Sequence, residues 1–240
     1  MRLISLSTPS LAAGVVLFCI AHSFASDTIL KESFDEFAVD SVGTVGSEAE
    51  PGGAWRDFGK RDSSPKASDQ EFFAAPGAKS GKSVRIIRDD SVIGTPYFWL
   101  TGAWSSPLDS GKLRISFRVL RDSAESCFSV HLGTAEKTAN TNTIAVAVGG
   151  RSTSGEKLQV MKSDGEWQRT GTQIEAGTWS LVSITIDLAA ETYSVSVNES
   201  PVEEGMPFTR TGALRSISFL PAYPDGNVSY IDDVEVVQLD

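Results

Sequence analysis

One pattern recurs along this chain and another is missing. Short runs alternate apolar and polar side chains, and no stretch sustains a 3.6-residue period. The alternating runs cover 28–34, 83–88, 97–104, 112–120, 126–133, 143–150, 157–162, 179–188, 192–198, 214–220 and 229–238. A period of two places neighbouring side chains on opposite faces of a strand. Gly, Ser, Asp and Pro separate the runs, as turns require. So many strands at regular spacing predict an all-β sandwich or barrel. Asp164-Gly165 is a hairpin signal. Residues 187–192 form a second short turn, with Val182, Ile184 and Ile186 on one face and Val195 and Val197 on the partner strand.

The first residues follow different rules. Met1-Arg2 precedes the apolar run "LAAGVVLFCIA", and Ser23 and Ala25 occupy the small-residue positions of a cleavage site. Residues 1–25 therefore read as a signal peptide, and the chain as secreted or periplasmic. The run is too short to span a bilayer. Phe18 is too large for the position before a lipid-bearing Cys19. The rest reads as one domain, 26–240, with a long irregular connection at 36–81. Without Arg2, 20 basic side chains face 31 acidic ones, a formal charge of −11. That balance argues against nucleic acid and against anionic membranes as partners. Cys127 is the only cysteine left, so the domain is expected to hold no internal disulfide and the thiol reads as a small, semi-buried group.

"GKLRISFRVL", "AGTWSLVSITIDLAAETYSVSVNES" and "LRSISFLPAYPDGNVSYIDDVEV" occur in that order. Together they resemble the concanavalin A-like lectin/glucanase superfamily, especially its laminin-G-like and secreted bacterial members. The resemblance covers most of residues 28–238. It implies a two-sheet antiparallel jelly-roll β-sandwich whose concave outer face holds a carbohydrate. One departure is Glu199, which stands where relatives carry glycine after Val197-Asn198.

Two carboxylates fall among apolar residues. Glu32 shares a parity with Leu30 and Phe34, and Asp232 shares one with Tyr230, Val234 and Val236. An ionised carboxylate on a core-facing side is costly without a partner. In the superfamily the first and last strands are neighbours, which would bring Glu32 and Asp232 together. Two facing carboxylates repel unless a cation lies between them. Oxygen donors at a sheet edge suit Ca²⁺, and relatives hold a structural calcium at this place. Alternatively, both acids accept backbone N–H groups at a strand end. Asp233 has the opposite parity and is expected to face solvent.

Catalytic signals are thin. Retaining glycosidases need two carboxylates about 5 Å apart. The E-x-D-x-E and E-x-D-x-x-E patterns of jelly-roll glucanases are absent. A lyase would need a base and an acid at the proton beside a uronate carboxylate. His131, the sole histidine after residue 25, opposes the apolar parity of its run, as do Arg114 and Arg118 in theirs. If those strands adjoin, Arg118 and His131 would share a groove, which makes His131 the weak catalytic candidate. The alginate-lyase motifs are missing, and Glu175 stands in "TQIEAG" where their histidine would be. For binding, aromatic faces stack on the C–H faces of sugars. The binding candidates are Trp55, Tyr97, Trp99, Trp167 and Tyr223 with Arg114, Arg118 and His131, while Trp104 and Trp179 read as core. These features point first to a non-catalytic domain that binds a polysaccharide, another glycan or a cell-surface partner. A lyase or glycoside hydrolase on the same scaffold and a structural or adhesive envelope protein are the alternatives.

Overall fold

The computed structural model describes residues 27–35, 53–58, 75–76, 81–87, 99–134, 144–149, 157–210, 212–221 and 228–239. The expected signal peptide, Tyr97, Tyr223 and much of 36–81 lie outside them. Among the described residues no helix is long and apolar enough to cross a membrane.

The chain is an all-β sandwich of two antiparallel sheets, a jelly roll. The strands are β1 (Asp27–Glu32), β2 (Gly53–Phe58), β3 (Ala75–Pro76), β4 (Lys82–Ile87), β5 (Trp99–Leu108), β6 (Lys112–Arg121), β7 (Phe128–Gly133) and β8 (Ile144–Val148). They continue with β9 (Lys157–Met161), β10 (Trp167–Gln173), β11 (Ser180–Asp187), β12 (Thr192–Val197), β13 (Ser200–Pro207), β14 (Leu214–Pro221) and β15 (Val228–Leu239). The first sheet runs β13-β12-β11-β6-β15-β4-β3, with β1 also paired to β15. The second runs β10-β9-β8-β7-β14-β5-β2.

All the expected strands are present. Four more appear. β2 and β3 lie inside 36–81, so that stretch is not wholly irregular, and β2 forms the edge of the second sheet. β10 and β13 are edge strands without clean alternation, and β13 carries Pro201, Gly205 and Pro207. Prolines on an edge strand also leave fewer open N–H groups for unwanted pairing.

The core forms where the alternating faces meet. Leu113, Ile115, Phe117 and Val119 of β6 face Phe128, Val130 and Leu132 of β7, and all are fully buried. Phe117 meets Phe219 and Phe128 edge to face, at centroid distances of 5.3 and 6.3 Å. This is favourable geometry for ring quadrupoles. Trp104 is buried and donates its indole N–H to the Leu214 carbonyl at 3.0 Å. Trp179 is only half-buried. Tyr193 of β12 crosses the sandwich and donates its hydroxyl to the Met161 carbonyl of β9. Burial pushes the Tyr193 phenol up, so it remains a donor throughout ordinary pH.

Turn chemistry holds the strands in register. Asp164 accepts the Glu166 N–H at 3.0 Å and Gly165 adopts φ 83° in the β9–β10 hairpin. That N–H, with Lys162 beside it, holds the Asp164 carboxyl below the usual range. Asp187 accepts from Ala189 and Ala190, which likewise lowers its pKa together with Lys112. At the β12–β13 turn both Asn198 (φ 49°) and Glu199 (φ 67°) are left-handed. Glu199 therefore adopts a conformation that glycine would enter without strain.

Candidate functional site

The alternation that buries Phe128, Val130 and Leu132 turns Ser129 and His131 to the opposite face of the second sheet. Register then assembles that face row by row. His131 pairs with Ala145 on β8 and with Ser218 on β14, and Ser218 pairs with Thr101 on β5. Thr101 and Ser218 share a hydroxyl hydrogen bond at 2.5 Å. His131 Nε2 lies 3.0 Å from the Ser129 hydroxyl. In the next row Gln159 pairs with Ala147, and Ala147 with Ser129.

Trp167 reaches this floor from the sheet edge. It opens β10 directly after the Asp164-Gly165 hairpin and pairs with Met161. Two strands separate β10 from β7, so a flat sheet would hold them about 14 Å apart. The Trp167 and His131 rings nevertheless lie with centroids 6.1 Å apart, edge to face. Ala145 and Ala147 on the intervening β8 make this possible, since neither carries a side chain large enough to block the rings. Trp167 is half-exposed, whereas His131 is only 6% exposed. The result is a hydroxyl, amide and imidazole floor with an indole at its rim.

The expected site residues divide between the sheets. Trp55 pairs with Gly102 and Trp99 with Phe58, so both belong to the second sheet with His131 and Trp167. Arg114 and Arg118 lie on β6, in the first sheet. The groove expected to join Arg118 to His131 is therefore not formed, because β6 and β7 belong to opposite sheets. Arg118 Nε instead donates to Asp233 Oδ2 at 3.2 Å.

The Asp232 parity also needs correction. A β-bulge between Asp232 and Glu235 inserts one extra residue in β15 relative to β6. Core facing thus passes from Ile231 to Val234 and Val236, not along Tyr230, Asp232 and Val234. Asp232 pairs in register with Arg118 and is 2% exposed. Asp233, expected in solvent, is left-handed (φ 48°) and half-buried against Arg118. Leu30 and Phe34 are buried as their parity predicts, and Glu32 lies at the end of β1, opposite Val234. Each carboxylate accepts a backbone N–H at 2.7 Å from a left-handed residue: Glu32 from Phe34 (φ 57°), Asp232 from Asp233. Among the described residues no group of three or more His, Cys, Asp or Glu side chains is arranged to hold a metal ion.

Sequence reasoning missed Arg121. It lies on the core parity of β6 and is fully buried. Its guanidinium donates to the carbonyls of Ser126 and Ile174, each at 2.6 Å, and to that of Ala124. Extending the β6 pattern by one residue would have exposed it.

No family model and no curated protein matches the chain in sequence. Solved structures do share its fold. A sialidase superposes with TM-score 0.57 at 13% identity, over 89% of this chain and 19% of the sialidase. The catalytic domain of a glycoside hydrolase family 131 protein from Coprinopsis cinerea gives 0.56 at 14% identity, over 87% and 93% of the two chains. The carbohydrate recognition domain of Emp47p gives 0.51 at 10% identity, over 88% and 98%. At such identities the likeness is one of fold: a jelly-roll sandwich of the kind found in lectin and glycoside hydrolase domains.

Proposed function

We propose that the chain is an exported glycan-binding protein and that its ligand lies on the outer face of the second sheet, against Trp167 and His131. The observation that carries this reading is the Trp167–His131 ring pair on a face shared with Ser129, Gln159, Ser218 and Thr101, where those four and His131 are nearly fully buried and half-exposed Trp167 is the member open to a ligand. An indole at a rim offers a stacking surface for sugar C–H faces, while the Thr101 and Ser218 hydroxyls, bonded to each other, and the Ser129 hydroxyl, beside His131, hold the buried floor beneath it. The described side chains of this face include no carboxylate, which favours holding a sugar over hydrolysing it. The fold is compatible with this role, being shared with a carbohydrate recognition domain.

The test is a binding screen of the folded domain against soluble polysaccharides and a glycan array, with the same samples assayed for new reducing ends and unsaturated uronates. Binding without product is expected. Trp167→Ala is expected to weaken that binding about tenfold or more while unfolding at nearly the wild-type temperature. New reducing ends or unsaturated products would replace the non-catalytic reading by an enzymatic one.

A structural Ca²⁺ held by Glu32 and Asp232 belongs to the same proposal. Carboxylate oxygens are suitable donors, and backbone carbonyls would have to complete the shell, since the described residues group fewer than three acidic side chains there. An ion that binds only the folded chain raises its stability, by about 2.7 kcal/mol at a hundredfold excess over Kd. Calcium is therefore expected to raise the unfolding temperature, and chelator or Asp232→Asn to abolish the rise. Identical melting with calcium and with chelator would remove the ion.

A further inference from the structure

We infer that the ligand of the Trp167–His131 face is an acidic glycan, a refinement that rests on the glycan-binding reading above. Two cations carry it. Arg169 lies two residues after Trp167 on β10, and its pairing with Gln159 starts the row that continues through Ala147, Ser129 and Leu220. Lys157 lies two residues before Gln159 on β9 and pairs with Gln173. Residues two apart on a strand point the same way, about 6.8 Å from each other. Arg169 and Lys157 therefore share the face of Trp167 and Gln159, and both are exposed.

Neither cation is engaged among the described residues. Lys112, Arg118 and Lys162 each make an ion pair, with Asp187, with Asp233, and with both Asp164 and Glu166. Arg169 and Lys157 make none among the described residues. Asp164 and Glu166, the acids nearest Trp167 in sequence, are taken up by Lys162. In a chain with 31 acidic and 21 basic side chains, a face with two cations that form no ion pair among the described residues, and no described carboxylate, runs against composition.

The net charge of −10 does not cancel this attraction. At physiological ionic strength charges beyond about 8 Å are largely screened, so groups beside the ligand decide. A guanidinium presents a planar donor fork that fits a carboxylate in two parallel hydrogen bonds. An Arg169–uronate contact beside a sugar ring stacked on Trp167 uses both neighbours on β10 at once.

The experiment compares polygalacturonate with the same polymer after carboxyl reduction, which keeps the sugar backbone and removes its charge, and includes a neutral β-glucan. The folded domain is titrated at about 0.15 M salt, the physiological regime. Wild type is expected to bind native polygalacturonate at least about tenfold more tightly than the reduced polymer, as loss of a charge-assisted contact implies. K157A/R169A is expected to erase that preference without lowering the unfolding temperature, and Arg169→Lys to restore part of it. Equal binding of native and reduced polymer, or binding of β-glucan that Trp167→Ala abolishes and K157A/R169A leaves intact, would overturn the acidic ligand and leave the glycan-binding reading standing. A folded protein that binds none of these polymers nor any arrayed glycan would sink both.

Discussion

Replacing Arg121 by alanine is expected to lower the free energy of unfolding by about 3–5 kcal/mol, because three carbonyls lose a charged donor inside the protein. Arg121 is fully buried, and its donors reach Ser126, Ile174 and Ala124, which belong to two separate segments. The Arg121 carbonyl also accepts the Gly177 N–H at 2.8 Å, so one residue fastens 122–127 and 174–177 to the end of β6 from both its main chain and its side chain. Lysine keeps the charge but not the fork, and three carbonyls spread around a planar guanidinium do not suit a single ammonium. Arg121→Lys should therefore recover less than half of the loss. Urea denaturation measures both variants, and in a domain of this size the alanine change corresponds to a fall in Tm of about 6–20 °C. A loss under about 1 kcal/mol would mean that water takes over the carbonyls and that the clamp is dispensable.

Phe117→Ala should cost a similar amount, about 3–5 kcal/mol, for a different reason. Phe117 projects from the first sheet between Phe128 and Phe219 of the second. Truncation removes its buried area and two edge-to-face contacts and leaves a cavity that two β-sheets cannot readily close. Phe117→Leu refills most of the volume and should cost clearly less, so the difference between the variants separates cavity from burial. Calorimetry or denaturant unfolding decides it. Equal losses for Leu and Ala would place the energy in ring geometry instead of volume.

The strand positions show what was legible. Where both faces of a strand meet different surroundings, as in β6, β11 and β12, alternation sufficed to separate core-facing from outward side chains, apart from Arg121 one residue beyond the expected end of β6. Where a strand lies at an edge it need not alternate, and β10 and β13 escaped notice for that reason. The candidate site was legible one residue at a time. His131 was correctly turned away from the core by parity, whereas Trp167, read as a binding candidate, and Trp179, read as core, are both half-buried. Their meeting was not legible, because it depends on strand order across four strands and on two alanines between them. Strand order also undid the pairing of Arg118 with His131, since consecutive strands β6 and β7 cross from one sheet to the other. Parity failed once, at Asp232, where counting by two assumes that no residue is inserted.

That insertion has a consequence for what a strand can display. In regular alternation, vicinal side chains always diverge. Ile231 and Val234 are three positions apart, yet both are fully buried, so the half-step slip between them leaves the hydrophobic seam continuous. Removing Asp233 would bring those two residues back to ordinary spacing, so the seam does not require the slip. What the slip adds is a doublet: Asp232 opposite Arg118 in the ladder and Asp233 bonded to the same arginine. Two consecutive acids are thereby presented to one side of a sheet, an arrangement that an evenly pleated ribbon cannot make, and it can be edited without rewriting the interior.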